Sequence, residues 1–516
     1  MEQYTKNAIG GYLQVPIADK TVTTELSGDF TLPDYQPEIK RLLRVTASIL
    51  PPSKYVGGRE AEFAGSVDYY VLYTGSDNEL YCAPLTAEYR VEVPFDPTEI
   101  GEGGTDRQYL SDMTGDAVIV PDMISGRVTA PRKISIKCRL RTRAQIFGEM
   151  PMEDGFGEET NDVEVLHGKA NAVRMLCGVG EKLPLSDEMI AENGGELRVI
   201  SAEGRALVSE VSPANGAVNC RGDLYLKLLM CREDGGMPYS AMRKIPFSQS
   251  VPCEGVDAGC SVCAWGTVCD MGITVEDGKI GIDVGVILET AAMRGESVAY
   301  VKDIYSTSRK TQNEYKALRY SCAGAAFGGN FTLSDSKSLE EAGIGSPDVR
   351  VVDVIGTVYP EEQSFEGGRC VVSGKAKFTL LMEREGEYSS ADLEMPFRYD
   401  AGAGNGMSAA ICRGEVISVR ARMDGERIGI DAEIGISGRA WDCAKLCMAD
   451  SFGFGEEIQR AKGEFVLCYP SGEDTLWSVA KRYGATLSGL TEANGLSSEV
   501  SPDDHDSLDG VDYLVI

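Results

Sequence analysis

Histidine is almost absent from this 516-residue chain, which contains only His167 and His505. Neither has a serine, cysteine or second histidine at a spacing typical of a catalytic or zinc-binding motif. The sequence also lacks a P-loop, a Gly-x-Ser-x-Gly motif and a His-Glu-x-x-His motif. We therefore predict that the protein is not an enzyme.

Basic residues are also scarce, since 50 Lys and Arg face 80 Asp and Glu, giving a formal net charge of −30. Such a chain is repelled by phosphate backbones and anionic membrane surfaces, so we expect no nucleic-acid partner. No apolar run reaches the roughly 18 residues of a spanning helix, which predicts no membrane insertion. The N-terminus lacks a basic region followed by an apolar one, so we expect a cytoplasmic protein.

Paired cysteines are not evident, because the fifteen cysteines are odd in number and no secretory signal accompanies them. We expect most of them to be reduced and to behave as small core residues. One cluster could instead hold zinc, because Cys260 and Cys263 form a C-x-x-C half-site flanked by Cys253 and Cys269. The alternative is a reduced, cysteine-rich strand edge; we predict no metal and no cofactor.

What the sequence does contain is a three-fold repeat of about 150 residues. An alternating apolar run surrounds Gly65, Gly222 and Gly374, which are 157 and 152 residues apart (222−65, 374−222). Each run leads through a polar turn to a Pro-Phe pair, which begins at Pro94, Pro246 and Pro396.

The alternation predicts strands with one buried face, as in antiparallel sheets. Each repeat is long enough to bury its own core. We predict a mainly β protein of three tandem antiparallel β-sandwich or open-barrel domains over residues 1–150, 160–305 and 312–455.

An arginine also recurs on a strand in each repeat, at Arg44, Arg198 and Arg350, spaced by 154 and 152 residues (198−44, 350−198). We expect a structural role, in which each arginine pairs with an acidic neighbour in the same sheet; the alternative is a ligand-binding role.

The last 54 residues, 463–516, differ in pattern from the rest of the chain. Thr475 and Gly484 can cap a first helix, and Thr486 and Gly495 a second. With a strand before and after, this tail is a small βααβ domain.

The tail resembles a LysM domain, on the residues Asp474 to Trp477, Ala480 to Gly484 and Leu490 to Leu496. The resemblance implies a shallow groove between two loops that binds glycan or a partner. The residues carried over to this groove are Gly472, Asp474, Thr475, Leu476, Asn494, Gly495 and Leu496.

The repeats resemble the SPOCS domain of clostridial and bacillar sporulation proteins, on Pro37 to Leu43 and on the glycine-to-Pro-Phe hairpins. The first repeat matches this pattern best. SPOCS domains followed by a LysM domain imply a mother-cell protein of spore-coat morphogenesis at the forespore surface. The implied partner is the coat basement-layer ATPase.

Three hypotheses follow. The first is a non-enzymatic sporulation scaffold that binds coat and cortex morphogenetic proteins. The second is a peptidoglycan-binding protein whose LysM domain binds N-acetylglucosamine polymers, with the β-domains as spacers. The third, a wall hydrolase within one divergent repeat, has the least support in the sequence.

Overall fold

The computed structural model describes residues 6–96, 112–156, 162–190, 197–233, 236–276, 278–402, 404–458, 466–496 and 500–516. It is mainly β, and every strand pairing in it is antiparallel, which confirms the predicted fold class. Three sandwiches of two sheets each are followed by a small tail with two short helices.

The first sandwich packs the sheet β1-β7-β6 on the sheet β2-β4-β3, with β5 also paired to β4. Its strands are β1 (Lys6–Thr31), β2 (Ile39–Ile49), β3 (Ser53–Gly57), β4 (Glu60–Gly75), β5 (Leu80–Pro94), β6 (Met113–Ala130) and β7 (Lys133–Phe156).

The second sandwich packs β13-β14-β8, with β9 also paired to β14, on β10-β11-β12. Its strands are β8 (Val163–Val179), β9 (Leu183–Ile190), β10 (Leu197–Ala214), β11 (Ala217–Arg232), β12 (Tyr239–Pro252), β13 (Ser261–Glu276) and β14 (Lys279–Ser306).

The third sandwich packs β15-β20-β19 on β16-β17-β18. Its strands are β15 (Arg309–Ser338), β16 (Arg350–Glu366), β17 (Arg369–Arg384), β18 (Glu387–Asp400), β19 (Ala409–Asp424) and β20 (Arg427–Glu457).

Each sandwich has an apolar core of its own between its two sheets. The cause is the alternation seen in the sequence: on β7, Ile134, Ile136, Cys138 and Leu140 all point inward and are at most 2% exposed. The domain boundaries given above stay a prediction.

The sandwiches also pack against one another around a common pseudo-three-fold axis. At one end, Leu43, Ile200 and Leu381 lie in a single buried cluster to which each repeat contributes. A second shared cluster joins the long ribbons β1–β7, β8–β14 and β15–β20, which extend beyond the sandwiches. The repeats are therefore joined at two places by buried apolar side chains.

Strand register corrects the predicted set of equivalent arginines. Arg198 pairs with Cys231 and Arg350 pairs with Glu383, and these partners lie nine positions after Gly222 and Gly374. In the first repeat, the residue nine positions after Gly65 is Thr74, which pairs with Arg41. Arg44 lies three residues further along β2. The nearly equal spacings of 154 and 152 residues led to the wrong choice, because Arg41 and Arg44 lie in the same short strand.

The three equivalent arginines connect the three sandwiches in a closed cycle, which we call the ring. Arg41 donates to the Tyr388 carbonyl at 3.3 Å, Arg198 to the Leu80 carbonyl at 2.9 Å, and Arg350 to the Pro238 carbonyl at 3.5 Å. Each bond runs to the strand start of a neighbouring repeat: first to third, second to first, and third to second.

Arg44 instead pairs with acids of the other two repeats, and not with one in its own sheet as expected. Its guanidinium lies 3.1 Å from Asp353 and 3.1 Å from Glu203. Lys227 also lies 2.5 Å from Asp353. By register, Arg44, Ser201 and Asp353 occupy the same position in the three repeats. The Arg44–Asp353 ion pair therefore forms between equivalent positions.

The tail consists of β21 (Leu467–Cys468), α1 (Leu476–Tyr483), α2 (Leu487–Asn494) and β22 (Leu514–Val515), with a short 3-10 turn at His505–Leu508. This is the predicted strand–helix–helix–strand order. Among the described residues, no helix is long and apolar enough to cross a membrane.

Candidate functional site

The first loop of the tail is built by helix capping. Thr475 caps α1 by accepting from the backbone N–H of Ser478, and the Ser478 hydroxyl accepts in return from the N–H of Thr475. This reciprocal capping box satisfies two backbone donors that a helix start leaves unpaired. Gly484 closes the helix at φ 63°, a conformation that glycine adopts without strain.

Asp474 acts within this loop as a buried anchor. It accepts from the backbone N–H and the hydroxyl of Ser471, both at 2.9 Å, and it pairs with Arg482. These donors, the Ser471 N–H first, lower the pKa of the Asp474 carboxyl to about 2. Asp474 is therefore committed to the loop and presents little of its charge to a ligand.

The second loop is fixed by Asn494. Its amide donates to the carbonyls of Leu490 at 2.8 Å and Val515 at 2.9 Å, and its side-chain oxygen accepts from the N–H of Val515 at 2.7 Å. Gly495 adopts φ 60° as the cap of α2. Leu496 packs against the core of the tail.

A long connection after α2 contacts the start of α1. The N–H of Leu476 donates to the Ser507 hydroxyl at 3.0 Å, and the N–H of Trp477 donates to the Pro502 carbonyl at 2.7 Å. The Leu476 side chain is buried. Of the seven predicted groove residues, only Gly472 and Gly495 are classed as exposed, and most of the others maintain the fold.

The tail exposes aromatic side chains on its two-stranded sheet. Tyr469 is 72% exposed and Tyr513 54% exposed, with ring centroids 6.4 Å apart. Sequence reasoning did not select them, although their position beside the two short strands was visible.

The tail is docked on the ribbon of the second sandwich through Trp477. The indole N–H donates to Asp303 at 2.8 Å, and the ring meets Tyr305 edge-on at 4.8 Å. Lys481 lies 2.6 Å from Asp303. Burial opposes ionisation of Asp303, but its bonds to Lys481, Tyr315 and Trp477 outweigh burial and lower the pKa of this carboxyl.

Further contacts fix the orientation of the docked tail. The Tyr305 hydroxyl donates to the Ala485 carbonyl at 2.7 Å, and the N–H of Leu487 donates to Glu164 at 3.3 Å. Lys302 pairs with Asp503 of the long connection between α2 and β22. Because these partners are distant in sequence, no local pattern could have identified Asp303, Tyr305 and Glu164 as a platform.

The cysteine cluster does not assemble a metal site in the described part of the chain, where no three His, Cys, Asp or Glu side chains could hold an ion together. Cys253, Cys260 and Cys263 are free and buried, and Cys269 is free and half-buried. The zinc alternative has no geometric support in these residues.

Two protein families match parts of the chain. Residues 197–276 match the SipL SPOCS-domain family, and residues 473–502 match the LysM domain. The chain thus contains a SPOCS domain and a C-terminal LysM domain, as the sequence resemblance predicted. No curated protein and no solved structure matches it.

The SPOCS match lies in the second repeat, whereas sequence reasoning judged the first to be nearest to the pattern. It spans β10 to β13, and the same strand arrangement recurs in the other two sandwiches. SPOCS and LysM domains are typically non-catalytic binding modules, and the combination fits a sporulation-associated protein with a peptidoglycan-binding module.

Proposed function

We propose that the protein is a non-enzymatic sporulation scaffold that binds coat and cortex morphogenetic proteins at the forespore surface. The three sandwiches form a rigid ring, and the LysM domain is the part that binds a partner. The partner proposed from the resemblance is the basement-layer ATPase of the spore coat, in the mother-cell cytoplasm.

The observation that carries this proposal is the docking of the LysM domain on the ribbon of the second sandwich. Trp477 and Lys481 both bond Asp303, so the LysM domain is held in one orientation and does not hang from a linker. A fixed orientation suits a scaffold, because rigid presentation reduces the entropy lost when a partner binds.

Charge favours a basic protein surface as that partner. Residues 463–516 contain ten acids and two bases, a net charge of −8 (2−10). The two bases, Lys481 and Arg482, are already paired with Asp303 and Asp474. Asp504 and Asp509 remain exposed on the long connection between α2 and β22, where they can attract a basic partner.

Glycan binding is the second candidate, and the exposed Tyr469 and Tyr513 are the observation that favours it. Aromatic rings offer an apolar face with a polar edge, which suits the faces of sugar rings. In this alternative, the LysM domain binds N-acetylglucosamine polymers of peptidoglycan and the ring acts as a spacer.

Two binding measurements on the full chain separate these functions. We expect the purified basement-layer ATPase to bind the wild type and to lose affinity for the double variant Asp504→Lys, Asp509→Lys. The double variant Asp424→Lys, Glu426→Lys is the matched control, since it reverses two exposed charges on the β19–β20 hairpin. Undiminished ATPase binding by the double variant would contradict this assignment of the surface.

The second measurement is co-sedimentation with purified peptidoglycan. Retention that is abolished by Tyr469→Ala and Tyr513→Ala, together with no ATPase binding, would replace the scaffold function with the glycan-binding one. Release of muropeptides by the pure protein would contradict both non-enzymatic functions.

A further inference from the structure

Arginine side chains of β7 occupy the junction between the third and first sandwiches. Arg139, Arg141 and Arg143 are spaced by two residues, so they lie on the same face of the strand. Arg141 donates to the Pro360 carbonyl at 2.8 Å, and Arg143 donates to the Ala410 carbonyl. Two guanidinium groups of the first sandwich thus bond backbone carbonyls of the third.

The equivalent stretch of β20, at the junction between the second and third sandwiches, contains no arginine. The positions correspond by strand register, counted from the bulge opposite Leu140 on β7 and Ile434 on β20. By this count, the counterparts of Arg139, Arg141 and Arg143 are Glu433, Gly435 and Ser437. Neither carbonyl-bonding guanidinium is therefore supplied at the second–third junction, and the charge at the first position is reversed.

A cleft of about 640 Å³ lies at this second–third junction. Gly435 and Ser437 line it from the third sandwich, and Val208 and Val262 line it from the second. By register, the two valines are equivalent to the two residues whose carbonyls accept the arginine bonds at the third–first junction. The cleft therefore has the walls of the filled junction without the side chains that occupy it.

The first–second junction differs in charge. Its counterpart of Gly435 is Ile287, which lines a cleft of about 590 Å³. Its counterpart of Glu433 is Gly285, so no carboxylate stands at this position. The two charged residues that line this cleft, Glu88 and Arg90, balance each other. Its lining therefore has no excess charge that would attract a cation.

Most charges around the second–third cleft are already paired. The charged residues that line it are Asp223, Arg413, Glu415 and Glu433. Asp223 lies 2.9 Å from Lys244, and Arg413 lies 2.7 Å from Glu289. These two pairs contribute no net charge, so the balance depends on the two remaining glutamates.

Glu415 adds little to that balance. Burial raises the pKa of its carboxyl to about 7, against the opposing effect of Arg205 and Arg413. Near pH 7 the group is therefore about half neutral, and Arg205 offsets the charge that remains. Its equivalents by register are Val120 and Thr267, so this charge is a feature of the third repeat alone.

Glu433 is the carboxylate that remains unbalanced. It is exposed and lines the cleft, so a ligand that enters from solvent can reach it. Among the described residues, it has no ion pair within 4.0 Å. The cleft thus offers a negative charge to a cation, on the same strand face as the open position at Gly435.

We propose that this cleft binds an arginine side chain of a partner protein. The guanidinium group takes the place that Arg141 and Arg143 take at the third–first junction, with the Glu433 carboxylate as its counter-ion. Arginine suits the cleft better than lysine, because its planar group has five donors that can bond a carboxylate and a carbonyl together. The cleft lies on the ring, so this proposal is independent of the binding assigned to the LysM domain.

Saturation-transfer NMR on the full chain, at physiological ionic strength, tests the site with N-acetylarginine methylamide as the probe. The matched probe is N-acetylcitrulline methylamide, which has nearly the same shape and no charge. We expect a saturable signal from the arginine probe and an affinity for the citrulline probe that is about tenfold weaker or more.

A variant of the counter-ion tests the assignment of the residue. Glu433→Gln should weaken binding of the arginine probe about tenfold or more, because the ion pair is lost. Asp431→Asn is the matched control, since it neutralises an exposed carboxylate two residues earlier on the same face of β20, outside the cleft. The control should bind the probe as the wild type does.

A second variant fills the cleft from within. Gly435→Arg installs the residue of the first repeat and should abolish binding of the probe. The added Cβ would meet the ends of two side chains first, Asn330 at 3.3 Å and Ile417 at 3.4 Å, so we expect the variant to fold. Ser437→Arg, which installs the counterpart of Arg143, serves if Gly435→Arg does not fold.

Three results would overturn the proposal. The first is the absence of a saturable signal from the arginine probe with the wild type. The second is equal affinity for the arginine probe and for its citrulline or lysine analogue, which would mean that the cleft does not recognise a guanidinium group. The third is an unchanged affinity in Glu433→Gln or in a folded Gly435→Arg variant.

Discussion

Contacts that hold the three repeats and the LysM domain together are of two kinds, those made three times and those made once. The bonds of Arg41, Arg198 and Arg350 to neighbouring carbonyls recur around the ring, whereas the Arg44–Asp353 pair and the Trp477–Asp303 contact occur once. Recurring contacts close the ring. Close to the axis, the Arg44–Asp353 pair cannot recur, because equivalent positions of the three repeats meet there and three copies of one charge would repel each other.

Among the substitutions that test this comparison, removal of Asp353 is expected to have the largest effect on the free energy of unfolding. Asp353→Ala leaves the buried Arg44 and the half-buried Lys227 without their shared carboxylate, which should lower the free energy of unfolding by about 3–5 kcal/mol. Urea unfolding followed by circular dichroism measures the change. Glu366→Ala is the control, since its pair with Arg398 is exposed and should contribute less than about 1 kcal/mol.

The stabilisation that Asp353 gives to the fold is expected to decrease as the pH falls. Burial raises its pKa, but Lys227 and Arg44 prevail and hold it at about 2. A carboxyl with a folded-state pKa below its unfolded value of about 3.9 stabilises the fold above that pH. The difference between wild type and Asp353→Ala should therefore be full at pH 7 and decrease as the pH falls toward 2.

Glu415 is a charge present in one repeat only, and its removal should stabilise the ring. Glu415→Val is expected to raise the free energy of unfolding by about 1–2 kcal/mol at pH 8. Because its folded-state pKa is raised to about 7, the wild type gains stability as the pH falls below 7, and the benefit of the variant should shrink by pH 5. A loss of stability at pH 8 would show that Glu415 supports the fold.

The recurring arginines should give the smallest effects, and similar ones. Arg41→Ala, Arg198→Ala and Arg350→Ala each remove a bond to a neighbouring carbonyl, which is expected to cost about 1 kcal/mol. Thermal unfolding of the three variants compares them directly. A cost several times larger for one variant would mean that the three contacts are not equivalent.

The sandwiches could be predicted because their signal is local. The apolar alternation at Ile134, Ile136, Cys138 and Leu140 indicates which face of the strand is buried. The three-fold repeat of the pattern identifies the hairpins. The ring could not be predicted in this way. It depends on Arg44 meeting Asp353 across 309 residues, and no periodic pattern encodes such a pair.

In the LysM domain, too, local features could be predicted from the sequence and long-range contacts could not. Thr475, Gly484 and Gly495 predicted its helices because capping depends on neighbouring residues. The role of Asn494 was harder to predict, since it bonds Val515 and so serves the fold more than a ligand. The docking platform at Asp303 lies more than 170 residues from Trp477 and could be found only in three dimensions.

Hydrogen exchange of the Trp477 indole N–H tests most directly whether the ring holds the LysM domain in one orientation. The chain has three tryptophans, so labelling tryptophan with ¹⁵N gives three indole signals that can be assigned by substitution. We predict slow exchange of the Trp477 signal in the wild type and fast exchange in Asp303→Ala. Fast exchange in the folded wild type would contradict the docked arrangement.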